Sequence, residues 1–403
     1  MNVKPLAAPF VRAAGAAAGA WSAFWTFPAM LLSAFLVAWG AEAAQFLISQ
    51  GLALAVLAWL QTLPEAAVEA VIAWQAGRDP SRAHLAIANL TGAIRLLIGL
   101  GWPMIYSVAA FMGRRARGRL PAIELAREHA VEVMGLLPPL LWFVVIWWKK
   151  SLSAGDAGVL LTLYVAYLGV LWQCPPHDAE EVDEAPAVSR WAYRLGGTRR
   201  TLAITALFVA GGLLLYVTTV PFLESMLAVA SLTGVSQFVF VQWVAPFLSE
   251  FPEKVSAFGW ARRVTHAPMA LMNMASSNIN QWTVLAAMIP LVYGWSHHAA
   301  HGTWAAFVFD GEQQLEIGLT IAQSLVATLV LMDLRFTWHD AAGLFVLWLA
   351  QFLVPSLRAE IAIIYLAWAA LEIARFAARR GTCAAPRVFM EIIRENRARR
   401  SGP

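Results

Sequence analysis

Charge is scarce in this chain. Asp, Glu, Lys and Arg together make up 13% of 403 residues, roughly half the share carried by a soluble domain. With 60% of residues hydrophobic, there is too little polar surface to cover a water-soluble core of this size. Cysteine is nearly absent. Cys174 and Cys383 are too few and too far apart for a disulfide framework, a metal site or a nucleophile motif. No Gly-rich phosphate loop occurs, which argues against direct ATP drive. His84, His129 and His266 lack Ser or Asp partners at a recognisable spacing, so an intramembrane enzyme is not expected. The basic residues come with no fold or aromatic pattern that would bind nucleic acid.

Apolar runs of span length are what the chain has in quantity. Each is about the 20 residues needed to cross a roughly 30 Å hydrocarbon layer. Eleven spans are predicted, near 21–45, 51–74, 84–110, 130–148, 156–173, 202–224, 233–258, 267–294, 315–333, 340–356 and 359–379. Many of the nineteen Trp residues lie near span ends, as in an interfacial aromatic belt. The Ala-rich run 13–20 offers A-x-A-like sites, but the apolar stretch after it is needed as the first span, so no cleaved leader is expected. If the N-terminus is outside, 21 of the 29 Lys and Arg residues fall on the inner side and seven on the outer side. The positive-inside rule therefore orients the N-terminus outward and the C-terminus into the cytoplasm of a bacterial-type inner membrane.

Three segments repeat in the same order, offset by roughly 185 residues. Thr62-Leu63-Pro64-Glu65 matches Glu250-Phe251-Pro252-Glu253. Ala88-Asn89-Leu90-Thr91-Gly92-Ala93-Ile94 matches Met272-Asn273-Met274-Ala275-Ser276-Ser277-Asn278. Ser153 to Gly158 matches Thr337 to Gly343. Five spans per repeat, an odd number, turn the second copy upside down in the membrane, the inverted-repeat plan of secondary transporters. The fold expected is therefore an all-α integral membrane protein, with two inverted five-helix repeats and one extra C-terminal span. Its divisions are a tail 1–20, repeats 21–174 and 202–356, a cytoplasmic loop 175–201, and an extra span with a basic tail over 357–403.

Within each repeat a Pro breaks the helix ladder beside an acid. A carboxylate in hydrocarbon must be paired, protonated or ligating a cation. Two such acids at equivalent places in inverted copies meet near the pseudo-symmetry centre. With hydroxyl, amide and carbonyl oxygens they form the hard-oxygen surroundings that calcium or sodium prefers.

On these motifs the chain resembles the calcium/cation antiporter superfamily, the membrane region of the sodium/calcium exchangers. Its repeat reads roughly G-T-S-L-P-E, then G-N-x-x-G-S-N. The resemblance covers about 32–173 and 205–356. It implies secondary active antiport by alternating access, calcium or sodium exchanged for sodium or protons, with no cofactor. It implies cation ligation by Glu65 and Glu253, with oxygen from Thr62, Ser249 and Ser277, and Gln281 where the family has Asn or Asp. Asn89, Asn273, Asn278, Glu250 and Arg95 are expected to tune the site. The partners expected are inorganic cations and membrane lipid.

The first copy departs from the pattern. Ala93 and Leu97 stand where Ser and Asn or Asp belong, Arg95 lies between them, and Glu250 replaces a Ser. Charge compensation predicts that Arg95 pairs with Glu250, Glu65 or Glu253. The missing oxygens keep an alternative open, a transport-inactive relative serving as a membrane scaffold or partner-binding subunit. Glu42, Glu69 and Glu224 are expected to face a vestibule or interface, with Glu69 the foremost accessory carboxylate. His297, His298 and His301 are expected in a solvated outer loop, and Phe307 to Glu312 as a hairpin with an Asp-Gly turn.

Overall fold

A computed structural model describes residues 19–47, 59–60, 62–117, 120–173, 182–378 and 383–400. The start of the predicted second span, Gln61, Cys174 and the loop acid Asp178 lie outside the described residues, as do most of the N-terminal tail and the final residues of the C-terminal one.

The first repeat opens with α1 (Ala23–Gln45). The Pro-broken second span supplies α2 (Leu63–Arg78), with Pro64 in its first turn, where the missing N–H costs nothing. Next, α3 (Ala83–Leu96) runs through a π-helical turn, Leu97–Gly101, into α4 (Trp102–Arg117). Strand β1 (Ala122–Glu124) follows, then α5 (Ala130–Gly135), α6 (Leu137–Lys149), β2 (Ser151–Leu152) and α7 (Ala154–Leu171). A connecting helix, α8 (Ala187–Arg194), leads into the second repeat.

That repeat uses the same parts. Helix α9 (Gly197–Thr233) is followed by a seventh span broken at Glu250 into α10 (Gln237–Ser249) and α11 (Phe251–Ala261). Then α12 (Ala267–Asn280) passes through a second π turn, Gln281–Leu285, into α13 (Ala286–His301). β3 (Phe307–Val308), α14 (Gly311–Val330), β4 (Arg335–Thr337) and α15 (Trp338–Leu353) complete it. Beyond the repeats lie α16 (Arg358–Ala377), the extra span, and α17 (Ala384–Arg400).

Five of the described helical stretches are long and apolar enough to cross a membrane uninterrupted: 19–45, 80–114, 127–149, 154–171 and 197–233. The outer surface is apolar. Tyr216 is 84% exposed, Trp148 80% and Leu371 70%, while many polar groups are buried within the helix bundle. This arrangement inverts that of a water-soluble domain and suits lipid.

Two short antiparallel ribbons cross-link the repeats. β1 pairs with β4, Ile123 opposite Phe336, and β2 pairs with β3, Leu152 opposite Phe307. Each ribbon takes one strand from each repeat. The third sequence match is now explained in physical terms. Ser153 with Asp156, and Thr337 with Asp340, are reciprocal capping boxes that start α7 and α15 after β2 and β4. The predicted Phe307–Glu312 hairpin does not form. Phe307–Val308 pairs with a strand from the other repeat instead, and the Asp310 carboxylate accepts from Gln313 N at 2.8 Å to cap α14. His297, His298 and His301 are likewise not in a loop, because α13 continues to His301.

Candidate cation-binding site

The site assembles at the two helix breaks. Pro64 and Pro252 each lie in the first turn of their helices, so Glu65 and Glu253 also sit near a helix N-terminus, where the partial positive charge of the backbone favours an anion. Both carboxylates are buried, 1% and 3% exposed. Gln281, at the start of the second π turn, reaches across to the first repeat. Its amide nitrogen donates to both Glu65 oxygens at 3.3 Å and to Glu250 Oε1 at 2.8 Å. Asn278 donates to Gln281 Oε1 at 3.2 Å and to the Ile94 carbonyl at 3.4 Å, tying α12 to α3.

Glu253 is held from α12. Ser277 Oγ donates to Glu253 Oε1 at 2.6 Å, and Asn273 Nδ2 reaches the same oxygen at 3.5 Å. Asn89 donates to Glu69 Oε2 at 2.7 Å. Lys254 Nζ donates to Glu250 Oε2 at 2.6 Å, and this lysine, one of the 21 basic residues expected on the inner side, lies buried in α11. The hydroxyls of Thr62 and Ser249 donate to carbonyls of their own segments, Trp59 O at 2.8 Å and Ala245 O at 2.9 Å. Their oxygen lone pairs remain available as acceptors. Glu65, Glu250, Gln281 and Asn278 thus form one bonded group and Glu253, Ser277 and Asn273 another, the two meeting where Ser277 and Asn278 are neighbours on α12 to make one centre, with Glu69 and Asn89 beside it. Thr62 and Ser249 border it through the helix breaks.

The predicted pairing of Arg95 is overturned. Arg95 points into a different buried cluster, where its guanidinium pairs with Glu316, donates to Gln351 Oε1 at 2.8 Å and lies 5.2 Å over the Trp243 ring. Arg358 Nη1 meets the same Glu316 at 2.5 Å, and Gln242 donates to it at 2.8 Å. The reason is helical phase. Arg95 lies six residues beyond Asn89, about 240° round the helix, so it faces away from the carboxylates. Glu316 was not singled out by the sequence reading. An acid at the start of the ninth span and an Arg at the start of the eleventh were the available signals. Arg358, one of the seven basic residues expected on the outer side, is buried against it.

Of the other acids, Glu224 is exposed on α9. Glu42 is buried and accepts from Ser189 at 2.9 Å and Ser256 at 2.8 Å. It lines a cavity of roughly 640 Å³ with Trp39, Ser256, Arg262 and Arg263, which extends to Pro252, next to Glu253. The cavity lies to one side of the centre. Among the described residues, no group of three or more His, Cys, Asp or Glu side chains is arranged to hold a metal ion. The carboxylates are instead spaced by amides and hydroxyls. Such groups can turn a donor toward an acid when no cation is present and an oxygen toward a cation when one is.

The family model described as sodium/calcium exchanger protein matches residues 18–173 and 203–356. Among solved structures, the H+/Ca2+ exchanger CAX is similar with 31% identity and a TM-score of 0.83, over 93% of this chain and 92% of that one. The sodium-calcium exchanger NCX_Mj, soaked with 2.5 mM Na+ and 10 mM Sr2+, shares the fold with a TM-score of 0.55 at 16% identity, over 84% of this chain and 99% of that one. No curated protein sequence matches this chain.

Proposed function

Since the chain belongs to the sodium/calcium exchanger protein family, we propose that it is a secondary cation antiporter that exchanges calcium for protons across a bacterial-type inner membrane. One observation carries the reading: two buried carboxylates, Glu65 and Glu253, at proline-broken helix starts in inverted repeats, joined through α12 by Gln281, Asn278 and Ser277. The likeness to the H+/Ca2+ exchanger supports protons as the counter-ion, since it is far greater than that to the sodium-calcium exchanger. Chemistry supports it too. Buried carboxylates that release a divalent cation must regain positive charge, and a proton supplies it.

In this reading Glu65 and Glu253 ligate the ion, while Thr62, Ser249, Ser277 and Gln281 offer neutral oxygen. Glu250 with Lys254, and Asn89, Asn273 and Asn278, set charge and orientation. Residues 21–174 and 202–356 act as the two repeats, flanked by the tail 1–20 and joined by the cytoplasmic loop 175–201, with 357–403 as an accessory span and tail. The charge asymmetry of the loops supports a cytoplasmic C-terminus.

Purified protein in proteoliposomes tests this. An imposed pH gradient is expected to drive calcium uptake, and Glu65→Gln or Glu253→Gln to abolish it. Uptake driven equally by sodium would change the counter-ion. If folded protein moves no tested cation, the reading gives way to a membrane scaffold, which the apolar Ala93 and Leu97 of the first repeat favour.

A further inference from the structure

We propose that Glu69 and Asn89 form a second station for a divalent cation, one helical turn from Glu65 along α2. The inference rests on the antiport reading above and adds a site to it.

The two repeats keep a register of 184 residues over most of this region. Ala83 and Ala267 both begin helices, and Leu97 and Gln281 both begin π turns. At the helix breaks the register is 188, Pro64 against Pro252. The four-residue difference is one helical turn, inserted into α2, which has 16 residues where α11 has 11. The insertion gives the first repeat two candidate carboxylates. Glu65 matches Glu253 by its position after the proline. Glu69 matches Glu253 by its neighbour, because Glu69–Asn89 and Glu253–Asn273 are both bonded pairs 20 residues apart.

The chemistry at Glu69 is that of a site with a missing partner. Glu69 and Asn89 are 0% and 1% exposed, and Asn89 Nδ2 spends its bond on Glu69 Oε2. Glu69 Oε1 and Asn89 Oδ1 are left buried with no hydrogen-bond donor. Two buried oxygens without donors, one on each side chain of a bonded pair, carry a desolvation cost that a hard cation would relieve. The repeat that gains this pair is also the one that has Ala93 and Leu97 in place of oxygen-bearing residues. Oxygen lost from α3 is thus replaced from the lengthened α2. Glu65 lies in Coulombic range of Glu69, Glu250 and Glu253, so a cation at Glu69 would be one turn, about 5–6 Å, from the main centre.

The test follows the shift of the thermal unfolding midpoint with calcium, on the full-length protein in detergent. Glu69→Gln is expected to keep the calcium-free midpoint and to raise the calcium needed for half the shift by about ten-fold or more. Superimposable wild-type and E69Q curves would overturn the proposal. Should E69Q fail to fold, Asn89→Asp decides: an added carboxylate is expected to lower the calcium needed, and an unchanged or higher requirement overturns the proposal. The two readings fail separately. A calcium shift that is lost in E65Q but intact in E69Q removes only this station. A wild-type protein with no calcium shift, and with no calcium flux in liposomes, removes the antiport reading beneath it.

Discussion

Two guanidiniums, Arg95 and Arg358, share one carboxylate, Glu316, in a cluster completed by Gln242, Gln323 and Gln351. Its members come from α3, α10, α14, α15 and the start of the extra span, so it binds that span to the core. The charges decide which substitution matters. Removing Glu316 leaves two buried cations facing each other. Removing Arg95 leaves a neutral Arg358–Glu316 pair. Breaking a buried pair costs about 3–5 kcal/mol. Glu316→Gln is therefore expected to destabilise by about that amount, and Arg95→Met by clearly less. Thermal unfolding in detergent measures both, and the opposite ranking would contradict the cluster. The carboxylates Glu65 and Glu253 were legible because Pro-Glu within an apolar run has few other uses. The partner of Arg95 was not legible. Charge compensation admits any nearby acid, whereas the phase of α3 admits only those on one side.

At the scale of elements, the crossing of α3 over α10 fixes how closely the two repeats approach. Gly92 sits at the contact, where an added Cβ would lie 1.8 Å from the Gln242 carbonyl oxygen and 2.6 Å from its carbon. Backbone cannot yield as a side-chain tip can, so the helices would have to separate. That movement would disturb Gln242, which bonds both Glu316 and Arg358. Gly92→Ala is expected to reduce gradient-driven calcium uptake about ten-fold or more, or to prevent folding, as seen by size-exclusion chromatography. Gly158→Ala, with no atom within 4 Å of the added methyl, serves as a control expected to behave as wild type. Helix starts were readable from Pro, Ser, Thr and Asp signals. The two ribbons were not, because the strand partner of Phe307–Val308 lies about 155 residues upstream in the chain, beyond any local turn signal.

For the whole molecule, the ribbons limit which parts can move. β1–β4 and β2–β3 tie the later helices of one repeat to those of the other. Helices α1 and α9, the first of each repeat, carry no strand and none of the carboxylates at the helix breaks. They pack along each other, with Thr26 and Ser225 hydroxyls bonded at 2.8 Å and the Val37 side chain against Gly211. This pair lies outside the part of the core that the ribbons staple. The same interleaving predicts the behaviour of a chain cut between residues 175 and 181. Fragments expressed together are expected to co-purify as a folded complex, and neither alone to give a monodisperse peak. A monodisperse first fragment on its own would contradict the exchange of strands. The order of the repeats and their inversion were readable from three short matches; their interlocking was not, since pairing across repeats leaves no trace in either copy alone.

The strand exchange also sets a clock on biosynthesis. Ala122 must wait for Thr337, 215 positions later, before its ribbon can close. At translation rates of about 5–20 residues per second, that interval is roughly 10–40 seconds. Through that time the nascent first half stands in the bilayer with unpaired strand edges and with Glu65 lacking the Gln281 amide of the second half. The insertion machinery that receives this chain has to shelter a half-built protein until its other half arrives.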